Sequence, residues 1–310
     1  MRRTRAKGFF EGTSVVVTAL LLFAAVTLAS AAGAPAALST LDFPSARVTA
    51  ALGINANGDV VGTYVDQNFK NHGFLLSAGQ YTSIDPPGSL FTEARGINAN
   101  GDIVGDYIAS DGNFHGFFLG PDGFKDISVS GHLNTIPVKI SPEGVIVGCF
   151  HDTDTMGTMH GFVRDEDSLT VYATPASMHN GVTPRGDVAG FLTDLMTMQT
   201  HSYILSKGAT TQVDFPGSSA TRVWDINPRR EAVGFYLDPV TRVFRGFQYR
   251  KGQFTPIDIP AARSTRPFGI NLEGDIVGAY TDQNGKTHGF LLSREEDKRA
   301  EGDSAEVEDE

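Results

Sequence analysis

The chain has 310 residues, 40% hydrophobic and 20% charged, with a formal net charge of −11 and a single cysteine. The acidic balance argues against nucleic acid as a partner. One cysteine rules out an internal disulfide, so the fold must rest on its core.

Taken in chain order, the sequence opens with Arg2, Arg3, Arg5 and Lys7, then a nearly all-apolar run from Val15 to Leu28, then Ala29-Ser30-Ala31. A basic start, a short apolar run and small residues after it form the layout of a cleaved secretory signal. The apolar run is short for a membrane anchor. Residues 1–31 are therefore expected to be removed. The mature protein is expected to be secreted or periplasmic, with no stable membrane insertion.

Residues 32–293 hold six copies of one unit. The glycine of a Val-Gly step (Ala-Gly once) returns at Gly62, Gly105, Gly148, Gly190, Gly234 and Gly278, at intervals of 43, 43, 42, 44 and 44 residues. An aliphatic residue eight positions earlier keeps the same beat, from Ile54 and Ile97 to Ile270. In the second copy, Ala94 to Asn98, Asp102 to Ile108, His115 to Leu119 and Phe124 to Ile127 are β-rich runs separated by Asn100-Gly101, Ser110 to Asn113 and Pro121 to Gly123. Such runs bounded by Gly, Asn, Asp and Pro read as strands joined by hairpins, and Asn-Gly predicts type I′ turns at Asn57-Gly58 and Asn100-Gly101. Four strands per unit of this length predict an all-β, six-bladed β-propeller.

With strands named A to D from the channel outward, Leu41-Asp42-Phe43-Pro44 matches the D segments Val213-Asp214-Phe215-Pro216 and Ile257-Asp258-Ile259-Pro260. The last copy stops after its strand C, at His288 to Leu292. The first segment is therefore expected to complete the last blade and remove an open edge at the seam. The Val-Gly glycines, lying mid-strand, predict close packing against the adjoining blade. Residues 294–310 carry −6, have almost nothing apolar to bury, and read as an acidic disordered tail.

The triplets His72-Gly73-Phe74, His115-Gly116-Phe117, His160-Gly161-Phe162 and His288-Gly289-Phe290, each following a Val-Gly step, resemble the bacterial extracellular repeats of the HAF family. Gly stands where that family has Ala, and His201-Ser202-Tyr203 and Arg245-Gly246-Phe247 depart further. The resemblance covers residues 41–293. It implies an exported repeat protein and brings no catalytic residues with it.

Once-per-blade histidines are spread around a ring and do not converge on one ligand. They are expected to tie the start of strand C to a neighbouring turn. The acidic B–C loops, with Asp66, Asp111, Asp152, Asp154, Asp194, Asp238 and Asp282, suggest calcium, but they lack the spacing of a calcium-binding hand, and Asp also starts turns through its own backbone. Cys149 reads as a buried inert thiol. Arg47, Arg95, Arg222, Arg263 and Arg266 of the D–A segments could bind an anion, although they are read in different registers.

What breaks the repeat is a methionine window: Met156, Met159, Met178, Met196 and Met198, with His151 and His179 beside it. Met156 and Met159 are expected in the third B–C loop, Met178 in the next D–A loop and Met196 and Met198 in the fourth B–C loop, all on one face. The expected function is a monomeric, non-catalytic binding propeller acting through the D–A and B–C face on a protein or glycan outside the cytoplasm, with no cofactor required. An extracytoplasmic hydrolase or lyase at the channel mouth is the alternative. A soft-metal site is a further one, since thioethers suit copper(I), with Met156, Met159, Met196, Met198 and His151 as ligands.

Overall fold

The computed structural model describes residues 26–28, 36–152, 158–166, 168–172, 174 and 176–294. All its regular elements are strands. The first blade is β3 (Val48–Ile54), β4 (Val60–Val65), β5 (Asn71–Ser77) and β6 (Gln80–Ile84), hydrogen-bonded in that order. Four more four-stranded antiparallel sheets follow, running from Phe91 to Asp126, from Asn134 to Val171, from Ser177 to Gln212 and from Thr221 to Ile257. Their inner strands are β7 (Phe91–Ile97), β11 (Asn134–Ile140), β15 (Ser177–Val182) and β19 (Thr221–Ile226). The sixth blade is β23 (Ser264–Ile270), β24 (Ile276–Thr281) and β25 (Thr287–Arg294), completed by β2 (Ala36–Leu41). Each inner strand packs on the next, and β23 returns to β3. The protein is a closed six-bladed β-propeller.

The seam repeats the contacts of an internal joint. Leu41 pairs with Gly289 and Thr40 with Phe290, so the closing strand runs from Ala36 and lies earlier than the Leu41–Phe43 expected. Asp42 accepts from His288 at 2.9 Å, as Asp214 does from His201 at 2.7 Å. Phe43 stacks on Tyr64 at 3.6 Å and Phe215 on Tyr236 at 3.5 Å. Phe43 N–H and Phe215 N–H each donate to a threonine of the next inner strand, Thr49 and Thr221. A three-residue strand, β1 (Val26–Leu28), pairs on the outside of β2 within the segment read as an export signal. A cut after Ala31 would leave the sixth blade with four strands like the others. The expected tail beyond Arg294 lies outside the described residues.

The Asn-Gly steps do not form two-residue type I′ turns. Only the glycine takes positive φ, 82° at Gly58 and 85° at Gly101. Asn55 N–H donates to Asp59 O at 3.1 Å and Gly58 N–H to Asn55 O at 3.2 Å. The loop is thus three residues ending in a left-handed glycine. The Asn55 side chain explains the difference, because its Oδ1 accepts from both Asn57 and Asp59 N–H and stabilises the longer turn.

The Val-Gly glycines also act differently from expectation. A Cβ on Gly62 would collide with the Ala50 carbonyl oxygen and the Phe74 ring, both of its own blade. The cause is a β-bulge: Ala51 pairs with Gly62 and Gly53 with Val61, leaving Leu52 extra on β3. The same two-against-one pairing recurs at Arg95, Val138, Asn180, Trp224 and Phe268. Contact with the adjoining blade belongs instead to the glycine of the His-Gly-Phe triplet. A Cβ on Gly116 would lie 2.8 Å from Pro137, and one on Gly246 would lie 2.8 Å from Pro267. Ser202 uses that spot to donate to Thr221 O at 2.8 Å. The phenylalanine that follows fills the core between blades; Phe74, Phe117, Phe162, Phe247 and Phe290 are all buried.

Two outcomes follow for stability. Gly105→Ala is expected to destabilise by about 3 kcal/mol, the cost of overpacking against backbone that cannot move aside, while exposed Gln80→Ala leaves the urea midpoint unchanged; equal midpoints would contradict the bulge account. A chain beginning at Arg47 should melt well below one beginning at Ala36 in calorimetry, because it leaves β25 with a bare edge.

Candidate functional site

The bulge decides what the channel contains. Along β3, β7 and β23 burial alternates up to the bulge and then loses its phase. The buried positions, such as Thr49 and Ala51, lie between blades, and the half-buried ones face the lumen. Three residue rings line the channel in consequence. Gly53, Gly96, Lys139, Gly181, Asp225 and Gly269 form the waist. Leu52, Arg95, Val138, Asn180, Trp224 and Phe268 form the bulge ring. Ala50, Glu93, Ile136, Met178, Arg222 and Arg266 form the ring nearest the D–A and B–C loops.

The waist is shut. Lys139 Nζ reaches from blade three to Asp225 Oδ2 of blade five at 2.9 Å and to Leu52 O of blade one at 3.3 Å. Asp225 also accepts from Ile226 and Ile270 N–H at 2.9 and 3.0 Å. Glycine at the other four positions lets the strands close in: a Cβ on Gly96 would lie 2.7 Å from Val138 O.

On the A–B side of the waist, a cavity of about 200 Å³ has Lys139 and Asp225 at its floor and Ala56, Pro142, Pro228 and Leu272 in its wall. Its polar groups are occupied by a hydrogen-bonded girdle. Asn55 donates to Asn98 O at 3.1 Å, Asn98 to Ser141 O at 3.3 Å, Asn227 to Asn271 O at 3.1 Å and Asn271 to Asn55 O at 3.3 Å.

The D–A and B–C side is different. Arg222 Nε, Arg266 Nε, Trp224 Nε1 and Asn180 Oδ1 are buried there with no hydrogen-bond partner among the described residues, as are Thr92 Oγ1 and Asp106 Oδ2 in blade two. The first four come from β15, β19 and β23, three consecutive inner strands. Trp224 meets Phe268 edge-on at 5.2 Å, and Arg222 lies over the Phe191 ring at 5.2 Å. Burial lowers the pKa of both Arg222 and Arg266. In blade two, Arg95 pairs with both Glu93 and Asp106. Burial pushes the Asp106 carboxyl up against the pull of Arg95. A second cavity on this face, about 570 Å³, lies between blades two and three and includes Ile136, Asn134 and His151 in its lining.

The methionine window is not one surface. Met156 and Asp154 lie outside the described residues. Met159 opens β13 (Met159–Asp165), and Met178 lies on inner strand β15, so neither is in a loop. Both are buried, in an apolar cluster with Val138, Cys149 and Phe191. Met196 and Met198 stand in the next B–C loop, 95% and 65% exposed. His179 is buried with its Nδ1 on the Tyr203 hydroxyl at 2.9 Å. His151 ends β12 (Ile146–His151) opposite Asn134. Cys149 is fully buried, and burial pushes its thiol up to about 12, leaving it an inert packing residue.

The repeated histidines tie strand to turn, as their spacing implied. His72 bonds Asp85 at 2.7 Å and reaches Asp66 at 3.6 Å, and Arg245 reaches Asp258 at 3.6 Å. The B–C aspartates serve their own turns: Asp66 accepts from Asn68 and Lys70 N–H, and Asp238 from Val240 and Thr241 N–H. The arginines divide by register. Arg222 and Arg266 are equivalent, opposite Phe235 and Ala279, where the sequence reading set them apart. Arg47 and Arg263 share another position at the strand entrance, bonded to Val65 O and Thr281 O through their backbones.

No family model and no curated protein matches the chain. Solved structures do. The β-propeller domain of the Trilobed protease from Pyrococcus furiosus has a TM-score of 0.51 at 9% identity, over 81% of this chain and 96% of that one. The six-bladed lectin of Aleuria aurantia, described with a fucose recognition mode, has a TM-score of 0.48 at 13% identity, over 82% of this chain and 93% of that one. A puromycin-hydrolyzing peptidase of Mycobacterium tuberculosis has a TM-score of 0.48 at 10% identity, over 82% of this chain and 53% of that one. At such identities the likeness concerns the fold.

Burial lowers His179 to about 4 from 6.5. The folded state therefore resists a proton that the unfolded state accepts. Stability from this residue is complete above pH 6.5 and falls as the pH drops towards 4, by about 3 kcal/mol in all. His179→Val, the residue that blade five carries at Val223, should remove that acid sensitivity in melts compared at pH 7.5 and 4.5. An unchanged pH profile would show that His179 is not its source.

Proposed function

We propose that the chain is an exported, non-catalytic binding propeller whose ligand enters the D–A and B–C end of the channel and stops at the Lys139–Asp225 waist. The observation that carries this reading is the set of four shielded, unpartnered polar atoms on three consecutive inner strands. Such atoms are costly to leave unmade, and a ligand with complementary groups would satisfy them. A mostly apolar lining with a few convergent polar groups is the usual make-up of a small-ligand site.

Binding is favoured over catalysis because the acid–base groups nearby are already engaged. Glu93 and Asp106 both hold Arg95. His179 is buried against Tyr203, and Cys149 is buried. None is an accessible group poised to move a proton at neutral pH. Export rests on the basic start, the Val15 to Leu28 run and Ala29-Ser30-Ala31.

Trp224 is the only tryptophan in the sequence, which makes it a built-in reporter. A ligand of this site should shift or quench intrinsic fluorescence and raise Tm together. Ligands found by thermal shift that leave the Trp224 emission untouched would place the site elsewhere.

A further inference from the structure

We infer that Arg222 and Arg266 form the seat for a carboxylate carried on a ring with an apolar face, such as an acidic saccharide or an aryl carboxylate. This rests on the proposed channel site and names its ligand class.

Both arginines sit at the same position of neighbouring inner strands, β19 and β23, two residues before Trp224 and Phe268. Among the described residues neither guanidinium has a carboxylate partner, and each Nε is shielded without an acceptor. A shortage of acids does not explain this. The chain has 36 acidic residues against 25 basic ones. Five other arginines among the described residues do have a carboxylate partner: Arg95 with Asp106, Arg230 with Asp187, Arg245 with Asp258, and Arg250 and Arg294 with Glu231. Two half-buried cations at one register of neighbouring strands lose hydration, and an anion held between them would offset that cost. The planar fork of arginine suits a carboxylate, which it can hold bidentately.

The walls set the rest of the ligand. Trp224 and Phe268 stand two residues after the arginines and meet each other edge-on, and Phe191 lies under Arg222, so a group joined to the anion would meet aromatic surface. A free inorganic anion would leave that surface unused. Trp224 Nε1 can donate, and Asn180 Oδ1 can accept while its Nδ2 holds Val223 O at 2.9 Å. These suit hydroxyl or ether groups on the ring. The opposite blade carries Glu93, which repels an anion and directs the carboxylate towards blades five and six.

The test uses the mature chain, with calorimetry and Trp224 fluorescence. The probes are glucuronate, benzoate, inorganic phosphate and neutral glucose. A ring carboxylate should bind, and its Kd should weaken at least tenfold in Arg222→Gln and in Arg266→Gln, with Arg263→Gln unchanged. Whichever of glucuronate and benzoate binds more tightly identifies the source. If the Gln variants do not fold, the methyl ester of the bound acid should bind the unaltered protein at least tenfold more weakly than the acid. Phosphate binding as tightly as the ring carboxylates, or an ester binding as tightly as its acid, would overturn the inference. So would no ring carboxylate binding at millimolar concentration. A neutral sugar that alters Trp224 emission would overturn the ligand class and keep the channel site. A carboxylate that binds without touching that emission would remove both.

Discussion

The rest of the structure depends on one extra residue per blade. The inner strand carries a bulge opposite a glycine of the second strand, and that pairing accounts for the Val-Gly rhythm of the chain. Without it, strict alternation would send every second inner residue into the seam between blades. With it, three positions per blade turn to the lumen: one before the bulge, the bulged residue, and one after it. The position after it is pressed against its neighbour so closely that glycine is used four times in six. The closed waist comes from this local irregularity.

At the two waist positions that are not glycine, the chain puts a lysine and an aspartate that bond across the channel. A buried ion pair is a poor source of net stability unless its remaining groups are satisfied. Here Asp225 also takes two backbone N–H groups, and Lys139 also takes a backbone carbonyl of a third blade. The pair therefore links blades one, three, five and six. The asparagine girdle does the same work at the rim: Asn271 donates to Asn55 O, so the girdle runs unbroken over the seam between last and first blades.

Much of this was legible in the sequence. The period, the strand runs and the displaced Asp-Phe-Pro segment gave a six-bladed ring and its closure. The histidines were correctly weighed as ties. The bulge was not legible, because it is a property of pairing, two residues against one, and leaves no mark on a single strand. Met178 was set in a loop, although β15 begins at Ser177. The arginines were set in different registers. Aligning the copies on the Val-Gly glycine puts Arg222 and Arg266 both twelve residues before it, and Lys139 and Asp225 both nine before it, where the other copies have glycine. That signal was available. The methionines stand out by their rarity, and rarity does not say which side of a strand a residue faces.

A six-fold repeat builds a ring well and a single-ligand site badly, since whatever recurs in every blade is carried around the axis. Recognition of one ligand at the axis needs the copies to differ there. In this chain they do differ on the inner strands. Outside them the histidine tie and the core phenylalanine recur in most blades, with Arg245, Ser202 and Tyr203 as departures. At the lumen, blade two carries a sealed acid–base cluster, blades one and three carry Leu52, Ile136 and Val138, and blades four to six carry Asn180, Trp224, Phe268 and two arginines. Surface side chains can drift freely without cost to the ring. Inner-strand side chains cannot, because each faces five others across a narrow lumen, and an unpaired cation or indole N–H there costs stability. Divergence at positions where it is least tolerated, with polar atoms left unsatisfied among the described residues, points to a partner from outside the chain.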